Sequence, residues 1–334
     1  MIIDRIGEVV QGVYLLGHPR YPLYLIDCDR PVIIDTGFSF TADGYAEQIR
    51  RILKDRHPVL CLLTHVHYDH CGGTAALKRH FPNMRVAASG HAASLIERPG
   101  VIERIGSLSR SAMDETHDFN TEITNSPSFE PFRVDVPLSE GQVLELQEGL
   151  SIVVIETPGH TRDMICYYVP ENQVLFSSEA TGVPDTTGYI MTECLLDYDL
   201  YAASMEKIAR LDIAVVCLGH RFAYTSGDAA RYLADARSQT KGFLKATKAI
   251  FQEEGGDIER TMNRVRAIEY DPKPKPKQPE AAYLLNLQAR VTAISRKIGR
   301  IPGGSARRTP QPIICNPFLV FPGGDCFRAS SNKQ

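Results

Sequence analysis

The chain of 334 residues contains no tryptophan, and its formal net charge is only −3. This near-balance gives no electrostatic reason to expect nucleic acid or an anionic membrane as a partner. No apolar run approaches the roughly 18 to 20 residues of a membrane span, and the first residues lack the charged-then-apolar order of a signal peptide. We therefore expect a protein that acts on a small molecule, binds neither nucleic acid nor membrane, and is open to forming a homodimer.

Closely spaced cysteine pairs are also missing. The eight cysteines are spread along the chain without a CxxC motif. Cys61, Cys166 and Cys217 lie in apolar, strand-like runs, which favours buried free thiols over a disulfide framework. A reducing, cytoplasmic setting is the expectation that follows.

The overall composition is that of an ordinary globular protein. With 43% hydrophobic and 23% charged residues, 21 prolines and 25 glycines, it excludes a fibrous protein, a coiled coil and a wholly disordered chain. The length suits one large domain, or a core with an appendage.

Strand-like and helical segments alternate over the first two thirds of the chain. Apolar runs at Val59–Leu63, Ile152–Ile155 and Ile213–Leu218 predict buried strands, and Asp197 is placed to open a helix. The alternation of strands and helices occurs once in each half of this region. It predicts an α/β fold with two sheets sandwiched between helices.

The pattern becomes purely helical after residue 226. We expect a catalytic domain over residues 1–226, a helical cap over 227–299 and a weakly ordered tail over 300–334. Within the cap, Asp271–Pro279 alternates lysine with proline. We interpret this segment as an extended, solvated linker rather than a DNA-binding segment.

The most informative segment follows the apolar strand that ends at Leu63. His65, His67, Asp69 and His70 place three imidazoles and a carboxylate within six residues. Burying so many polar groups is unfavourable unless something binds them. Because alternate residues of an extended segment point the same way, His65 and His67 can converge on one ion. Nitrogen and oxygen ligands of this kind suit a borderline-soft divalent metal.

With this HxHxDH motif the sequence resembles the metallo-β-lactamase superfamily, and further landmarks of that family follow in order. They are Asp35 in Val-Ile-Ile-Asp-Thr-Gly, His160 in Glu-Thr-Pro-Gly-His-Thr and His220 in Cys-Leu-Gly-His. The resemblance covers about residues 7–221. It implies an αβ/βα four-layer sandwich with a C-terminal helical extension.

The resemblance also implies a dinuclear metal centre. One ion would be held by His65, His67 and His160, and the other by Asp69, His70 and His220. Asp35 would orient a ligand from behind the metals. Zinc is the first expectation for both ions, with iron or manganese as alternatives.

One landmark departs from the family pattern. Where the family usually has Ser-Gly-Asp, with a carboxylate that bridges the metals, this chain has Ser177-Ser178-Glu179. Glu179 keeps the charge but is one methylene longer, so the metal separation could differ from the roughly 3.5–4 Å of dinuclear sites. Asp185 is an alternative ligand, and a structural salt bridge is an alternative role for Glu179.

The resemblance implies a hydrolase in which a metal-bound hydroxide attacks the substrate and Asp69 holds the water and moves its proton. A nucleophilic Cys71 is the competing scheme. The helical C-terminus is similar to that of glyoxalase II and the quinolone-pathway thioesterases, which favours a small thioester, ester or lactone. The chain lacks the cysteine ligand and the HxHxDR variant of true β-lactamases, which disfavours antibiotic hydrolysis.

Several alternatives remain open at this stage. They are an iron-dependent oxidoreductase of the same fold, such as a persulfide dioxygenase or a flavodiiron-like protein, a phosphoesterase, and a regulatory module without activity. Substrate choice is expected to reside in His91–Phe119, in Thr181–Leu196 and in the helices beyond Ala229. Phe222, Tyr224, Tyr232 and Phe243 would either line a pocket or form ordinary helix-packing core.

Overall fold

The computed structural model describes residues 1–18, 20–115 and 129–299. Within these ranges the chain forms two seven-stranded mixed sheets with helices on their outer faces, which confirms the predicted α/β sandwich. The predicted tail over 300–334 and the end of the His91–Phe119 segment lie outside the described residues. None of the described helices is long and apolar enough to cross a membrane.

The first sheet is built from the amino-terminal half of the chain. Its strands, in spatial order, are β2 (Gly7–Val10), β3 (Val13–His18), β4 (Tyr21–Ile26), β5 (Val32–Ile34), β6 (Leu60–Leu62), β7 (Arg85–Ser89) and β8 (Val136–Leu138).

The second sheet holds the later strands together with the first one. In spatial order they are β1 (Ile2–Ile3), β16 (Ala223–Thr225), β15 (Val215–Cys217), β12 (Val174–Phe176), β11 (Ile165–Val169), β10 (Leu150–Glu156) and β9 (Val143–Gln147). A separate hairpin pairs β13 (Val183–Pro184) with β14 (Ile190–Met191).

Helices cover both sheets and continue as the C-terminal extension. They are α1 (Ala42–Leu53), α2 (Tyr68–Cys71), α3 (Thr74–His80), α4 (Gly90–Ile96), α5 (Pro99–Glu115), α6 (Tyr198–Ile208), α7 (Gly227–Glu253), α8 (Ile258–Glu269) and α9 (Glu280–Gly299).

The four layers follow from the two-residue period of the strands. On β5 and β6, Ile34 and Leu62 point into the core between the sheets, whereas Ile33 and Cys61 point into the core under the helices. Both faces are apolar, so these short strands are buried on both sides, as expected for strands covered by helices. The six cysteines in the described ranges are buried and free, in agreement with the sequence interpretation.

Hydrogen bonds join the two sheets beneath the HxHxDH motif. Tyr24 donates its hydroxyl to the Leu218 carbonyl at 2.8 Å, and Tyr167 donates to the Leu63 carbonyl at 2.7 Å. The Ile165 amide donates to the Thr64 carbonyl at 2.9 Å. These bonds fix the strand ends of one sheet against those of the other.

Parallel pairing brings the motif-bearing strand ends together. β5 runs parallel to β6, with Ile34 opposite Leu62, and β12 runs parallel to β15, with Phe176 opposite Cys217. The carboxyl ends of parallel neighbours lie at the same edge of a sheet. The segments after these four strands therefore meet at one end of the sandwich.

The C-terminal helices pack on the outer side of the second sheet. Tyr224 of β16 stacks on Tyr232 of α7 with ring centroids 4.5 Å apart, and Phe243 is buried in the same apolar cluster. These aromatic side chains form packing core. The division of the chain at residue 226 remains a prediction, because one apolar cluster spans both sides of that boundary.

The lysine-proline linker differs from the solvated loop expected from its composition. Lys273 forms an ion pair with Asp185, and its ammonium lies 3.6 Å from the centroid of the Tyr189 ring. Lys277 lies over the Tyr270 ring at 3.9 Å. Lys273 and Lys277 therefore contact residues outside the linker, which composition alone does not reveal.

Candidate metal centre

The first group of candidate ligands comes from the loop after β6 and the loop after β10. His65 lies three residues after the end of β6, and His67 precedes α2 with extended backbone angles. Their ring centroids lie 4.5 Å apart, and His160 Nε2 lies 3.1 Å from His67 Nδ1. The three side chains each offer one ligand atom, and these three atoms lie within 4.8 Å of one another. The predicted convergence of His65 and His67 is therefore present.

The second group joins α2 to the loop after β15. Asp69 Oδ2 lies 3.9 Å from His70 Nε2 and 3.7 Å from His220 Nε2. These three side chains also offer one ligand atom each within 4.8 Å. The two groups have the same members as the two ligand sets that the family resemblance implies, and their binding of metal stays a prediction.

Glu179 lies between the two groups. Its Oε1 is 2.8 Å from His70 Nε2 and 2.7 Å from His220 Nε2, while its Oε2 is 3.8 Å from His65 Nε2. Ser178 donates its hydroxyl to Glu179 Oε2 at 2.6 Å. A carboxylate that reaches both groups is placed as a bridging ligand would be.

The residues present fit a pair of divalent ions. His65 is fully buried, and among the described residues its Nε2 atom has no hydrogen-bond partner. An orphaned buried imidazole nitrogen is unfavourable unless it binds something. The five imidazoles and two carboxylates are also the donors that zinc, iron and manganese accept.

The histidines are oriented by hydrogen bonds from their other ring nitrogen. His160 Nδ1 lies 2.9 Å from the Glu193 carbonyl oxygen, and His220 Nδ1 lies 2.7 Å from the Arg20 carbonyl oxygen. A proton donated to a carbonyl fixes the tautomer and leaves Nε2 free to face an ion. Both rings thus present Nε2 to the cluster.

Asp35 plays the corresponding part for His70. Its Oδ2 lies 2.9 Å from His70 Nδ1, and its Oδ1 accepts the Thr64 amide at 2.8 Å. Asp35 is buried and has a left-handed backbone angle, φ 57°. This geometry is the one expected of a residue that orients a ligand and the metal-binding loop.

The electrostatics of the cluster favour positive charge at its centre. Burial raises the pKa of Glu179, but His70 and His65 together outweigh it and hold that pKa well below its usual range. Burial lowers the pKa of His160 to about 3, so its neutral form predominates. Burial also lowers the pKa values of His65 and His67, whereas for His70 the carboxylates of Glu179, Asp69 and Asp35 outweigh burial and raise the pKa. A divalent cation would take the place of the proton that these carboxylates favour.

Glycines allow the motif loops to approach other elements closely. A Cβ at Gly73 would lie 2.4 Å from the Thr36 carbonyl oxygen, and one at Gly159 would lie 2.3 Å from the backbone nitrogen of Tyr201. Gly159 also has φ 138°. Gly73 has φ −83°, an angle that other residues also adopt. Glycine is therefore needed there for the close contact with Thr36 and not for the backbone angle.

The two alternatives from the sequence stand apart from the cluster. Asp185 pairs with Lys273 and accepts the Thr187 hydroxyl at 2.7 Å, and it belongs to none of the ligand groups. Cys71 is fully buried in the core under the helices, and burial raises the pKa of its thiol well above the usual range. Neither residue is arranged for the role considered.

Sequence reasoning missed two buried acids behind the cluster. Asp163 accepts the Val66 amide at 2.9 Å and so braces the loop between His65 and His67. Glu193 is 2% exposed, and burial raises the pKa of its carboxyl to about 7. Neither acid stands in a metal-ligand spacing. The only signal for Glu193 was a lone acid inside a mostly apolar stretch, and Asp163 follows the polar Thr161 and Arg162 without such a signal.

Two mixed sheets between helices, with imidazoles and carboxylates gathered at their strand ends, define the αβ/βα sandwich class. A model of the metallo-β-lactamase superfamily matches residues 22–220, more than half of the chain. The chain belongs to this family, which confirms the resemblance found in the sequence.

The chain is similar to several curated thioesterases. Acyl-coenzyme A thioesterase MBLAC2 of Homo sapiens is 28% identical over 194 residues, which is 53% of this chain and 63% of that protein. Atrochrysone carboxyl ACP thioesterase of Aspergillus fumigatus is 26% identical over 48% of this chain and 37% of that protein. Hydroxyacylglutathione hydrolase of Rhodopseudomonas palustris is 31% identical over 35% and 32%. The matches span less than two thirds of each relative.

Solved structures are similar in fold. The sec-alkylsulfatase Pisa1 from Pseudomonas sp. superposes with a TM-score of 0.62 at 18% identity, over 93% of this chain and 52% of that chain. The metallo-β-lactamase family protein TTHA1429 from Thermus thermophilus gives 0.55 at 19% identity, over 87% and 95%. At these identities the likeness establishes the fold alone.

Proposed function

We propose that this protein is a metal-dependent hydrolase that cleaves a small thioester, with esters and lactones as chemically related substrates. The observation that carries the proposal is the position of Glu179 between two groups of three ligands. Zinc is the first candidate for both ions, and iron or manganese would satisfy the same donors.

The thioester assignment is supported by the relatives. An acyl-coenzyme A thioesterase, an acyl-carrier-protein thioesterase and a hydroxyacylglutathione hydrolase all match part of this chain. All three names describe cleavage of a thioester. The candidate centre lies within residues 22–220, the region that matches the family model. We therefore extend the chemistry of these relatives to this chain.

The protein side of the chemistry follows from the ligand geometry. When bound, two divalent ions would polarise the substrate carbonyl and lower the pKa of a water to near neutrality. The buried histidines would hold the ions, and the groups behind them would keep each ring in place. Glu179, whose carboxylate lies near histidines of both groups, would help to hold the ions.

Asp69 is the candidate catalytic residue. Its side chain is 14% exposed, whereas those of His70 and Glu179 are 3% and 4% exposed, so Asp69 stands at the accessible edge of the cluster. A carboxylate there can accept a hydrogen bond from the attacking water, hold it in line with the carbonyl and carry its proton towards the leaving thiolate.

The experiment is a metal analysis paired with a substrate screen. Purified protein is analysed by plasma mass spectrometry and assayed on thioesters, esters, lactones and phosphoesters. Two metals per chain with the highest kcat/KM on a thioester would support the proposal. Turnover of phosphoesters alone would replace it with a phosphoesterase. One iron per chain with oxygen consumption on a persulfide would replace it with a dioxygenase.

A further inference from the structure

Helix α6 presents a buried tyrosine to two backbone segments of the candidate metal centre. Tyr201 is fully buried, and its hydroxyl donates to the Glu179 carbonyl at 3.0 Å. The same hydroxyl accepts a hydrogen bond from the Glu193 amide at 3.4 Å. Glu179 precedes the β13–β14 hairpin and Glu193 follows it. One phenol oxygen therefore joins the two backbones at the base of this hairpin.

Both of the joined residues take part in the candidate centre. The Glu179 carboxylate lies between the two ligand groups, 2.8 Å from His70 Nε2. The Glu193 carbonyl oxygen lies 2.9 Å from His160 Nδ1 and so orients that ring. The Tyr201 hydroxyl thus connects the backbone beneath the central carboxylate to the backbone that orients a ligand of the first group.

Helix α6 is itself anchored to the residues just before His160. The Leu196 amide, ahead of the helix, donates to the Gly159 carbonyl at 3.0 Å. On the helix, Ser204 donates its hydroxyl to the Pro158 carbonyl at 2.8 Å. These bonds hold the helix against the loop that carries His160. A hydroxyl on this helix is therefore a fixed point from which other backbone segments can be held.

Packing alone does not account for the hydroxyl of Tyr201. A phenylalanine would fill almost the same volume, and a buried hydroxyl is unfavourable unless it is hydrogen-bonded. Without the hydroxyl, the buried Glu193 amide would lose its acceptor. Tyr198, one helical turn earlier, provides the comparison. Its hydroxyl donates to the Thr240 carbonyl at 3.3 Å, which belongs to α7 and to neither ligand group.

We propose that Tyr201 is a positioning residue that holds the Glu179 carboxylate in register with the His160 ring, so that the two ligand groups form one site. One hydrogen bond fixes the backbone beneath the carboxylate, and the other fixes the residue whose carbonyl orients His160. A displacement of about 0.5 Å is enough to weaken a preorganised site. The inference rests on the proposed function only in so far as that function requires bound metal.

Tyr201→Phe removes the oxygen and keeps the ring. We expect metal affinity to fall about tenfold, at the lower end of the range for residues that orient ligands, because Tyr201 acts through backbone groups. Competition with a chromogenic chelator measures the affinity for zinc. The visible spectrum of the cobalt-substituted protein should also change, because it depends on how the ligands surround the ion.

Tyr198→Phe is the matched control for this variant. It removes one buried hydrogen bond from the same helix and should retain the wild-type zinc affinity and cobalt spectrum. A general loosening of α6 would affect both variants alike, whereas a positioning role affects Tyr201→Phe alone. Unchanged affinity and spectrum in Tyr201→Phe, or equal changes in the two variants, would overturn the inference.

Double variants test whether Tyr201 acts through the Glu179 backbone. Once released, that backbone can move, which lets the shorter carboxylate of Glu179→Asp approach both groups. Tyr201→Phe should therefore reduce zinc affinity less in the Glu179→Asp background than in wild type, by more than the roughly twofold deviation seen for independent sites. In the Asp35→Asn background, which alters the orientation of His70, the full reduction should remain. Equal reductions in all three backgrounds would overturn the inference.

Structures of the metal-free proteins keep this test separate from the proposed function. If the purified protein takes up no divalent ion, the proposed function fails, whereas the positioning role still predicts a structural change. In crystals of metal-free Tyr201→Phe, the Glu179 and Glu193 backbones should move relative to His160 by more than about 0.5 Å, and in Tyr198→Phe they should not. Backbones of Tyr201→Phe that superpose on wild type would overturn the inference.

Discussion

Glu179 Oε1 lies 2.7 Å from His220 Nε2. The contact places a glutamate where the family usually has a bridging aspartate, and the longer side chain still reaches the ligand of the second group. The backbone at this point is held in place, because Tyr201 donates its hydroxyl to the Glu179 carbonyl at 3.0 Å. The preceding Ser178 has a left-handed φ of 48°. The length of the side chain and the fixed backbone together determine where the Glu179 carboxylate lies.

Replacing Glu179 with aspartate should preserve metal binding but weaken it. Aspartate keeps the charge, while the fixed backbone prevents the shorter side chain from contacting both groups equally. Plasma mass spectrometry before and after mild dialysis against a chelator should show metals that are retained at first and lost faster than from wild type. Loss of both metals from the freshly purified variant would mean that the longer side chain is required for assembly of the site.

His67→Ala and Asp69→Asn should each abolish turnover while leaving the fold intact. In the proposed mechanism His67 would supply one of three ligands of the first group, and Asp69 would transfer a proton, a role that is worth roughly 10²- to 10⁴-fold in rate. Activity and circular dichroism are the measurements. His57→Ala, an exposed histidine outside the cluster, is the matched control and should behave as wild type. Near-normal activity in either site variant would refute the assignment.

Asp35→Asn tests whether the acid behind His70 acts through its charge. Asparagine has nearly the same shape and tolerates the left-handed φ of 57°, so the fold should be retained. In wild type, one carboxylate oxygen of Asp35 accepts the Thr64 amide and the other faces His70 Nδ1. The asparagine side chain has only one acceptor oxygen and cannot serve both. Metal affinity should fall roughly 10- to 100-fold, as for other residues that orient ligands. Competition with a chromogenic chelator measures it; an unchanged affinity would assign Asp35 to packing alone.

The sequence allowed prediction of the groups whose chemistry is local. The HxHxDH motif follows a fully apolar strand, and polar residues in such a place identify a binding site by their cost of burial. The strand positions were predictable because short, continuously apolar runs bounded by turn residues are typical of strands that are buried on both faces. Both signals are local in sequence and do not depend on contacts between distant segments.

The remaining features depend on contacts between distant segments. Glu193 stands behind His160 because the β14–α6 connection passes there, and its neighbours in sequence give no indication of this. The lysine-proline linker has a solvated composition but pairs with Asp185. Leu200 of α6 is apolar but 43% exposed, because Tyr201, Met205 and Ile208 form the buried face of that helix. Tertiary packing decides such cases.

Gly159→Ala should disturb His160 through steric overlap. The added Cβ would lie 2.3 Å from both the nitrogen and the Cα of Tyr201, which are backbone atoms of α6 that cannot rotate away. We expect a loss of about 3 kcal/mol or more in unfolding free energy, from overpacking together with the φ of 138°. Urea unfolding measures the loss, and metal content should fall in parallel.

Gly188→Ala separates strain from overlap. Gly188 also has a positive φ, 85°, but no atom lies within 4 Å of an added Cβ. Its variant should lose only about 1 kcal/mol, the usual effect of alanine at such a backbone angle. Equal losses in the two variants would show that backbone strain, and not contact with α6, explains the requirement at residue 159.

Glu269 and Arg290 form a buried ion pair in the C-terminal helices. The guanidinium of Arg290 is fully buried and donates to both carboxylate oxygens of Glu269, at 3.0 and 2.8 Å. Tyr189 and Tyr283 each donate a hydroxyl to the same carboxylate at 2.8 Å. Burial raises the pKa of Glu269, but Arg290 and these hydrogen bonds outweigh it and leave the pKa below its usual value.

The sign of the pH dependence follows from this depressed pKa. A carboxyl that binds its proton less tightly in the folded state stabilises the fold above its unfolded pKa, near 4.3. This contribution is lost as the pH falls through the lower, folded pKa. Urea unfolding between pH 6 and 3 should therefore show a steeper loss of stability for wild type than for Glu269→Gln. Taking the difference between the two proteins cancels the titration of groups they share.

At neutral pH the single variant should be the less stable one, because Glu269→Gln leaves the buried charge of Arg290 without its partner. Removing one member of a buried pair typically costs about 3–5 kcal/mol, whereas replacing both members with apolar residues is often nearly neutral. Adding Arg290→Met to Glu269→Gln should thus recover much of the loss. Glu206→Gln, in an exposed pair with Arg237, is the matched control and should change stability little. A double variant as unstable as the single one would mean that Arg290 is held by its packing against Phe243 and Tyr283 rather than by Glu269.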